Sequence, residues 1–266
     1  MKIISLNTYG GCFFEPLIDF ISQHQDSDFF CFQELLNTQK DIIKCEQFRA
    51  NFFEEINKVL PNFSGTFSTV QSGVVPVGDT DKAIDFGLGL FFKNDFLVKS
   101  QGDAFIVGNE KSYEYGKNYT LPFKMQWADF EIDGKILTVV NVHGTAFPFN
   151  KLDTPERLEQ SQRILDLIKQ KPGEKIIMGD FNLFPNTKSI SLFEEAGLKN
   201  LIKDFNITTT RGSLVRQLHP EYGQNPNGWQ EFADYTFVSS GIKVKSFNVP
   251  DLPLSDHLPM ILEFSQ

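Results

Sequence analysis

The sequence predicts an α+β protein in which two β-sheets pack face to face with helices outside them. Three observations carry that expectation. Short runs rich in β-branched and aromatic residues recur between turn residues along the whole chain. Helical periodicity interleaves only some of these runs, whereas a doubly wound parallel sheet needs a helix between nearly every pair of strands. Asp133-Gly134 joins two of the runs as a tight hairpin does.

The strand-like runs lie at residues 2–8, 28–34, 64–71, 86–93, 96–107, 123–132, 135–142, 175–180, 234–238, 243–249 and 260–264. Residues 16–24 are apolar at helical spacing, and residues 47–60 align Phe48, Phe52, Ile56, Val59 and Leu60 on one stripe. Residues 155–169 follow Asp153-Thr154-Pro155, with Pro at the first helical position, and bury Leu158, Ile164, Leu165 and Ile168. Residues 190–196 stop at Gly197, a C-cap signal. No internal repeat, low-complexity tract or Gly/Ser/Pro-rich linker divides the 266 residues, so a single domain over residues 1–266 is expected.

Composition narrows the class. The chain is 41% hydrophobic and 22% charged with 28 Phe, which excludes disorder. No apolar run reaches the roughly 20 residues of a membrane helix, and the first residues lack the apolar stretch of a secretory signal. The three cysteines, Cys12, Cys31 and Cys45, are odd in number and lack metal-ligand spacing; Cys31 reads as core packing. A reduced, soluble, cytoplasmic protein with no obligate protein partner is the expectation. Net charge of −9 argues against a long, sequence-independent grip on nucleic acid, whose affinity comes from Lys and Arg displacing counterions. It does not exclude phosphate chemistry, because acids gathered around a bound cation would account for part of the excess.

The informative pattern is a set of polar residues that end strand-like runs. Asn7 follows Ile3-Ile4-Ser5-Leu6, and Gln33-Glu34 follows Phe29-Phe30-Cys31-Phe32. His143-Gly144 follows Val139-Val140-Asn141-Val142, and Gly179-Asp180-Phe181-Asn182 follows Ile176-Ile177-Met178. Asp234 opens the run Tyr235-Thr236-Phe237-Val238, and Ser255-Asp256-His257 precedes Leu258-Pro259-Met260-Ile261. Each has a mundane reading: a solvated strand end for Glu34, a turn cap for Asn7, an Asx-turn for Asp180 and Asn182, a structural histidine for His143. Six together point elsewhere, since carboxylates emerging from apolar strands are costly unless paired, hydrogen-bonded or bound to a cation.

The combination resembles the endonuclease/exonuclease/phosphatase superfamily, from Asn7 to His257 and in the family's order. Gln33-Glu34, Gly179-Asp180-Phe181-Asn182 and Ser255-Asp256-His257-Leu258-Pro259 are its most specific elements. The resemblance implies a four-layer αββα sandwich of the deoxyribonuclease I-like type, with two mixed sheets inside. It implies Mg²⁺, with Mn²⁺ as a substitute, held by Glu34 with Asn7 and Asp256 close by, directly or through water; an all-oxygen pocket suits such hard cations. Asp180 then orients or deprotonates the attacking water, Asn182 donates to the phosphate, and His257 contacts a phosphate oxygen with Asp234 orienting it. His143 matches a second histidine of the deoxyribonuclease and sphingomyelinase branches, with Asp85 as its candidate partner. Zinc on His143 and His257 is the competing view, weakened by the lack of a third His or Cys at ligand spacing.

Departures from the family's patterns bear on substrate. Gln33-Glu34-Leu35-Leu36 lacks the Gln-Glu-Thr-Lys of abasic-site endonucleases, and Phe181 with Leu183-Phe184 departs from the inositol 5-phosphatase signature. Residues 109–123 interleave Tyr113, Tyr115 and Tyr119 with Lys111 and Lys117, a mixture suited to a base beside a phosphate. Residues 211–232 form a long polar stretch carrying Arg211, Arg216 and Trp229, which makes both arginines and Trp229 candidates for substrate contact. The resulting expectation is a Mg²⁺-dependent phosphodiesterase acting on short or single-stranded nucleic acid or on nucleotides. A phospholipid or inositol-phosphate phosphoesterase comes second, and a non-catalytic binding member third.

Overall fold

A computed structural model describes residues 1–76, 78–81, 83–224 and 230–266. Among the described residues, two six-stranded mixed sheets face each other. The first runs, in spatial order, Lys243–Asn248, Met260–Ser265, Lys2–Asn7, Phe29–Thr38, Ile84–Lys93, Phe63–Ser72. The second runs Lys199–Asn200, Asp234–Val238, Glu174–Asp180, Lys135–His143, Phe123–Ile132, Leu97–Val107. Each sheet contains a parallel pair, Lys2–Asn7 with Phe29–Thr38 and Lys135–His143 with Glu174–Asp180. Parallel neighbours need a crossover, and helices Phe14–Gln23 and Pro155–Lys169 provide it.

Strand alternation sorts the apolar residues into layers. Ile3, Phe29 and Cys31 face the second sheet and share a core with Val139, Ile176 and Val238. Ile4, Phe30 and Phe32 face outward, beneath Leu17 and Ile21 of helix Phe14–Gln23 and Phe52 and Ile56 of helix Phe52–Val59. On the far side, Ile164 and Ile168 of Pro155–Lys169 and Phe193 of helix Lys188–Glu195 cover the second sheet. Phe193 stacks on Phe237 at 4.6 Å, with Phe181 edge-on to both. A strand reading Phe-Phe-Cys-Phe is thus buried on both faces, as the αββα sandwich requires. No helix among the described residues is long and apolar enough to cross a membrane.

Three local expectations need correction. The stripe over residues 47–60 is not one helix: Phe48–Arg49 pairs with Lys44–Cys45, and helix begins at Phe52. Phe48 packs edge-on to Tyr9 at 5.5 Å within the inter-sheet core, whereas Phe52 belongs to the outer core. The helical spacing therefore joined residues buried against different layers. The expected helix at 16–24 starts at Phe14, because Pro16 fits a first turn whose N–H groups have no helical partner. The polar stretch 211–232 contains the short helices Leu214–Leu218 and Pro220–Gln224. The Asp133-Gly134 hairpin forms as read, both residues having positive φ (51° and 75°).

Gly179, just before Asp180, has φ +143°, and a Cβ there would lie 2.0 Å from the Val142 carbonyl oxygen across the parallel pair. Gly179→Ala should cost about 3 kcal/mol or more through overpacking and backbone strain. Chemical denaturation against the wild-type chain measures it; an unchanged midpoint would contradict this packing.

Candidate active site

The registers of the two parallel pairs bring the polar strand ends side by side. Asn7 is level with Gln33, His143 with Asp180, and Asp180 with Asp234 across the next, antiparallel pair. Glu34 reaches the same place through an irregularity. Phe32 pairs with Gly89 and Leu35 with Gly87, so Gln33 and Glu34 together face one residue, Leu88. Glu34 has φ +57°, a conformation that strains a residue with a side chain.

The surroundings hold that bulge in place. The Thr8 N–H donates to the Gln33 carbonyl at 3.0 Å. The Thr8 hydroxyl lies 3.0 Å from the same oxygen and 3.2 Å from the Glu34 carbonyl. From the opposite sheet, the Asn141 amide donates to the carbonyls of Phe32 (3.0 Å) and Gly89 (3.1 Å) and accepts from Gln33 Nε2 (2.7 Å).

Asp180 sits at the centre of the side chains. Asn7 Nδ2 donates to Asp180 Oδ2 (3.0 Å) and to Glu34 Oε1 (2.9 Å). His143 Nε2 lies 3.9 Å from Asp180 Oδ2 and 3.7 Å from Glu34 Oε1, and His257 Nε2 lies 3.7 Å from Asp180 Oδ2. His257 Nδ1 is 2.8 Å from Asp234 Oδ2. Arg211 places Nη1 2.5 Å from His257 Nε2 and Nη2 2.6 Å from Asp256 Oδ2. A guanidinium can only donate, so His257 Nε2 accepts from it and Nδ1 carries the proton toward Asp234.

Burial and charge act on each group differently. Burial, reinforced by Asp256 and Asp180 against the Asn7 amide, pushes the Glu34 carboxyl up to about 8. Burial lowers His143 to about 4 and, with Arg211 beside it, His257 to about 3. Against the burial that would raise it, Arg211, His257 and His219 hold the Asp256 carboxyl down at about 2. Burial also raises Asp234 and lowers the ammonium of Lys151, whose Nζ donates to the Phe232 carbonyl at 3.2 Å.

Most of the residues read from sequence meet here. Glu34, His143, Asp180, Asn182, Arg211, Asp256 and His257 line one hollow of about 400 Å³, with Asn7 and Asp234 bonded to its members. Asn7 turns its nitrogen to the carboxylates, while its oxygen accepts from the Tyr9 N–H at 3.1 Å, so it bridges Glu34 and Asp180 as placed. Asn182 is also the Asx-turn partner of Asp180, its N–H donating to Asp180 Oδ1 at 2.9 Å. Asp85 is not the partner of His143. Phe86 puts its ring beside that imidazole, so the alternating strand turns Asp85 away, toward the hydroxyls of Ser72 and Thr69. His143 Nδ1 is buried without a hydrogen-bond partner among the described residues.

The remaining candidates lie apart. Arg216 is exposed and pairs with Glu231 at 3.4 Å, and Tyr115 is 74% exposed; neither lines the hollow. Trp229 falls outside the described residues. Sequence reasoning missed His219, which lines the hollow 3.6 Å from Asp256, and the buried Lys151. The chain's four histidines offered a signal, since three of them, His143, His219 and His257, converge. No pattern marks Lys151.

The geometry fits a divalent cation. Ligand atoms of Glu34, His143 and Asp180 lie within 4.8 Å of one another, as do those of Asp180, Asp234 and His257. Glu34 Oε2 is buried without a hydrogen-bond partner among the described residues, an acceptor left open beside a second carboxylate.

Such a site, on such a sandwich, defines a phosphoester hydrolase. The sequence model of the endonuclease/exonuclease/phosphatase family matches residues 4–257, and the chain belongs to that family. Its members hydrolyse phosphoester bonds and generally depend on a divalent metal. Among solved structures, a mannosyl-6-phosphatase of Bacteroides thetaiotaomicron is 19% identical with a TM-score of 0.68, each chain covered over 100%. A family member from Leptotrichia buccalis is 15% identical with a TM-score of 0.72 over 100% of both chains. The human Nocturnin catalytic domain is 15% identical with a TM-score of 0.66, over 100% of this chain and 93% of that one. A UPF0294 protein of Vibrio vulnificus is 25% identical over 133 residues, 50% of this chain and 41% of the relative's length.

Asn141→Leu should destabilise the chain by about 3 kcal/mol, because it leaves the Phe32 and Gly89 carbonyls unpaired. It should also weaken divalent-metal affinity by about tenfold through a less fixed Glu34. Denaturation and calorimetric titration with Mn²⁺ read the two effects separately.

Proposed function

We propose that the chain is a Mg²⁺-dependent phosphodiesterase of one catalytic domain, hydrolysing its substrate by in-line attack of water. The observation that carries this reading is the position of Asp180, within 4 Å of Asn7 and of two imidazoles, His143 at the end of its strand and His257 in the segment before Met260–Ser265. A divalent cation would be held by Glu34, with Asn7 and Asp256 close by, and would supply Lewis-acid neutralisation of the phosphoryl oxygens. Asp180 orients the attacking water and accepts its proton. The free amide hydrogen of Asn182 and the remaining N–H groups of Arg211 donate to phosphoryl oxygens, and His257, held by Asp234, joins them once its Nε2 takes up a proton in place of the Arg211 donor. His143, wedged between Phe86 and Phe123, faces the same carboxylates from the other side and stands near the departing oxygen.

Nucleotides or short nucleic-acid fragments are the substrates favoured, since rings and a fixed arginine share one hollow. A phospholipid or inositol-phosphate ester is the second reading, supported by the apolar residues Val74, Val75 and Leu121 in the same wall. The free thiols of Cys12, Cys31 and Cys45 suit a reducing, cytoplasmic setting.

Bis-p-nitrophenyl phosphate with Mg²⁺ should be turned over, and EDTA should stop it. Asp180→Ala should lower kcat by about 10³-fold or more with its circular dichroism unchanged. Turnover that survives both treatments would refute the reading. Mg²⁺ at about one hundred times its Kd should stabilise the wild-type chain by about 2.7 kcal/mol, and Glu34→Gln should abolish most of that gain in thermal melts.

A further inference from the structure

We propose that the hollow selects a compact ester with a single phosphate and a planar or apolar group next to it, the size of one nucleotide, over a polynucleotide. The inference rests on the phosphodiesterase reading above and concerns what else the site can hold. Polynucleotide binding needs a cation for the phosphates on either side of the scissile one. Among the described residues lining the hollow, Arg211 is the one Lys or Arg, and its Nη atoms already serve Asp256 and His257. Cations on neighbouring loops face acids of this chain: Lys40 pairs with Asp81 at 2.8 Å, Lys117 with Glu114, and Arg216 with Glu231. Lys111 is exposed on the loop that carries Lys117 and does not line the hollow, and the chain carries −9 overall.

The wall offers rings and hydrocarbon in place of charge. Phe147 and Phe149 lie 4.6 Å apart, Phe149 meets Tyr222 at 6.4 Å, and Tyr222 stacks on His219 at 4.7 Å. This run of rings borders the catalytic carboxylates, and Phe149 is 51% exposed. Val75, Pro76 and Leu121 complete a lining on which a flat or apolar group gains by leaving water. The volume of about 400 Å³ lies at the small end of the roughly 300–1,000 Å³ of small-molecule sites. One phosphate and one ring system fit those terms.

The wall's chemistry is shared by a nucleobase and a simple aryl group, and the test separates them. Steady-state hydrolysis with Mg²⁺ is measured for methyl p-nitrophenyl phosphate, phenyl p-nitrophenyl phosphate and thymidine 5′-(p-nitrophenyl) phosphate, with a twelve-residue oligothymidylate as polymer. At least one ring-bearing ester should exceed the methyl ester about tenfold in kcat/KM, and the oligothymidylate should be the poorest substrate. Whichever ring-bearing ester leads identifies the source as nucleobase or aryl. In Phe149→Ala, a change at an exposed position, the ratio of KM for that ester to KM for the methyl ester should rise about tenfold. A preference for the oligonucleotide, or an unchanged KM ratio in Phe149→Ala, would overturn the inference while leaving the phosphodiesterase reading intact. Failure of all four substrates to react would remove that reading and this one with it.

Discussion

One glutamate held in a left-handed backbone conformation sets the geometry of everything around it. At Glu34 the strand Phe29–Thr38 carries an extra residue, and φ of +57° turns the carboxylate out of the sheet toward Asn7 and Asp180. Left alone, such a residue would relax into a regular ladder and point elsewhere. Thr8 occupies the carbonyls of Gln33 and Glu34 from the adjacent strand, and Asn141 occupies those of Phe32 and Gly89 from the opposite sheet. The strain is maintained because straightening the strand would strand these buried donors without partners. Asn141 thereby also ties the two sheets to each other, as Gln126 does elsewhere by donating to the Thr66 carbonyl and hydroxyl oxygens.

That fixing matters because each sheet holds part of the site. Asn7 and Glu34 come from the first sheet, His143, Asp180 and Asp234 from the second, and Asp256 and His257 from the segment that leads back into the first. Charge is balanced across the join. Arg211 lies between Asp256 and His257, and Lys151 is buried close enough to feel Asp180, Asp234 and Asp256. Buried ions this concentrated are tolerated only where each has a partner or a ligand. Glu34, whose burial favours the neutral form, is the member with an acceptor to spare, and a divalent cation would restore its charge.

The ring-bearing wall has its own anchor. Arg157, fully buried in helix Pro155–Lys169, donates to the Leu152 (2.7 Å), Ala146 (3.2 Å) and Pro148 (2.6 Å) carbonyls and to Asn150 Oδ1 (3.1 Å). Its guanidinium satisfies a loop that has no ladder of its own and holds Phe147 and Phe149 beside the carboxylates. The same helix carries Gln160, whose side-chain oxygen accepts from the Thr145 N–H at 2.8 Å. The crossover that allows the parallel pair to form thus also shapes the wall a substrate would meet.

The sequence by itself determined the layered sandwich and named most of the residues that meet in the candidate site, because both are written in local patterns. Alternation, a doubly buried Phe-Phe-Cys-Phe run and an Asp-Gly turn act within a few residues, and polar residues placed at strand ends reach a common edge once strands align. Tertiary structure decided what depends on which face or layer a residue meets. Phe48 and Phe52 share a helical spacing yet enter different cores, and Asp85 points away from His143 because its neighbour Phe86 points toward it. His219 and Lys151 carry no local signal, since their positions come from chain segments folded over the strand ends. Whether Arg211 or Arg216 would reach the hollow likewise depended on pairing: a bridge to His257 draws one in, and Glu231 holds the other outside. Short-range forces select the elements, while long-range burial and charge complementarity choose which side chains meet.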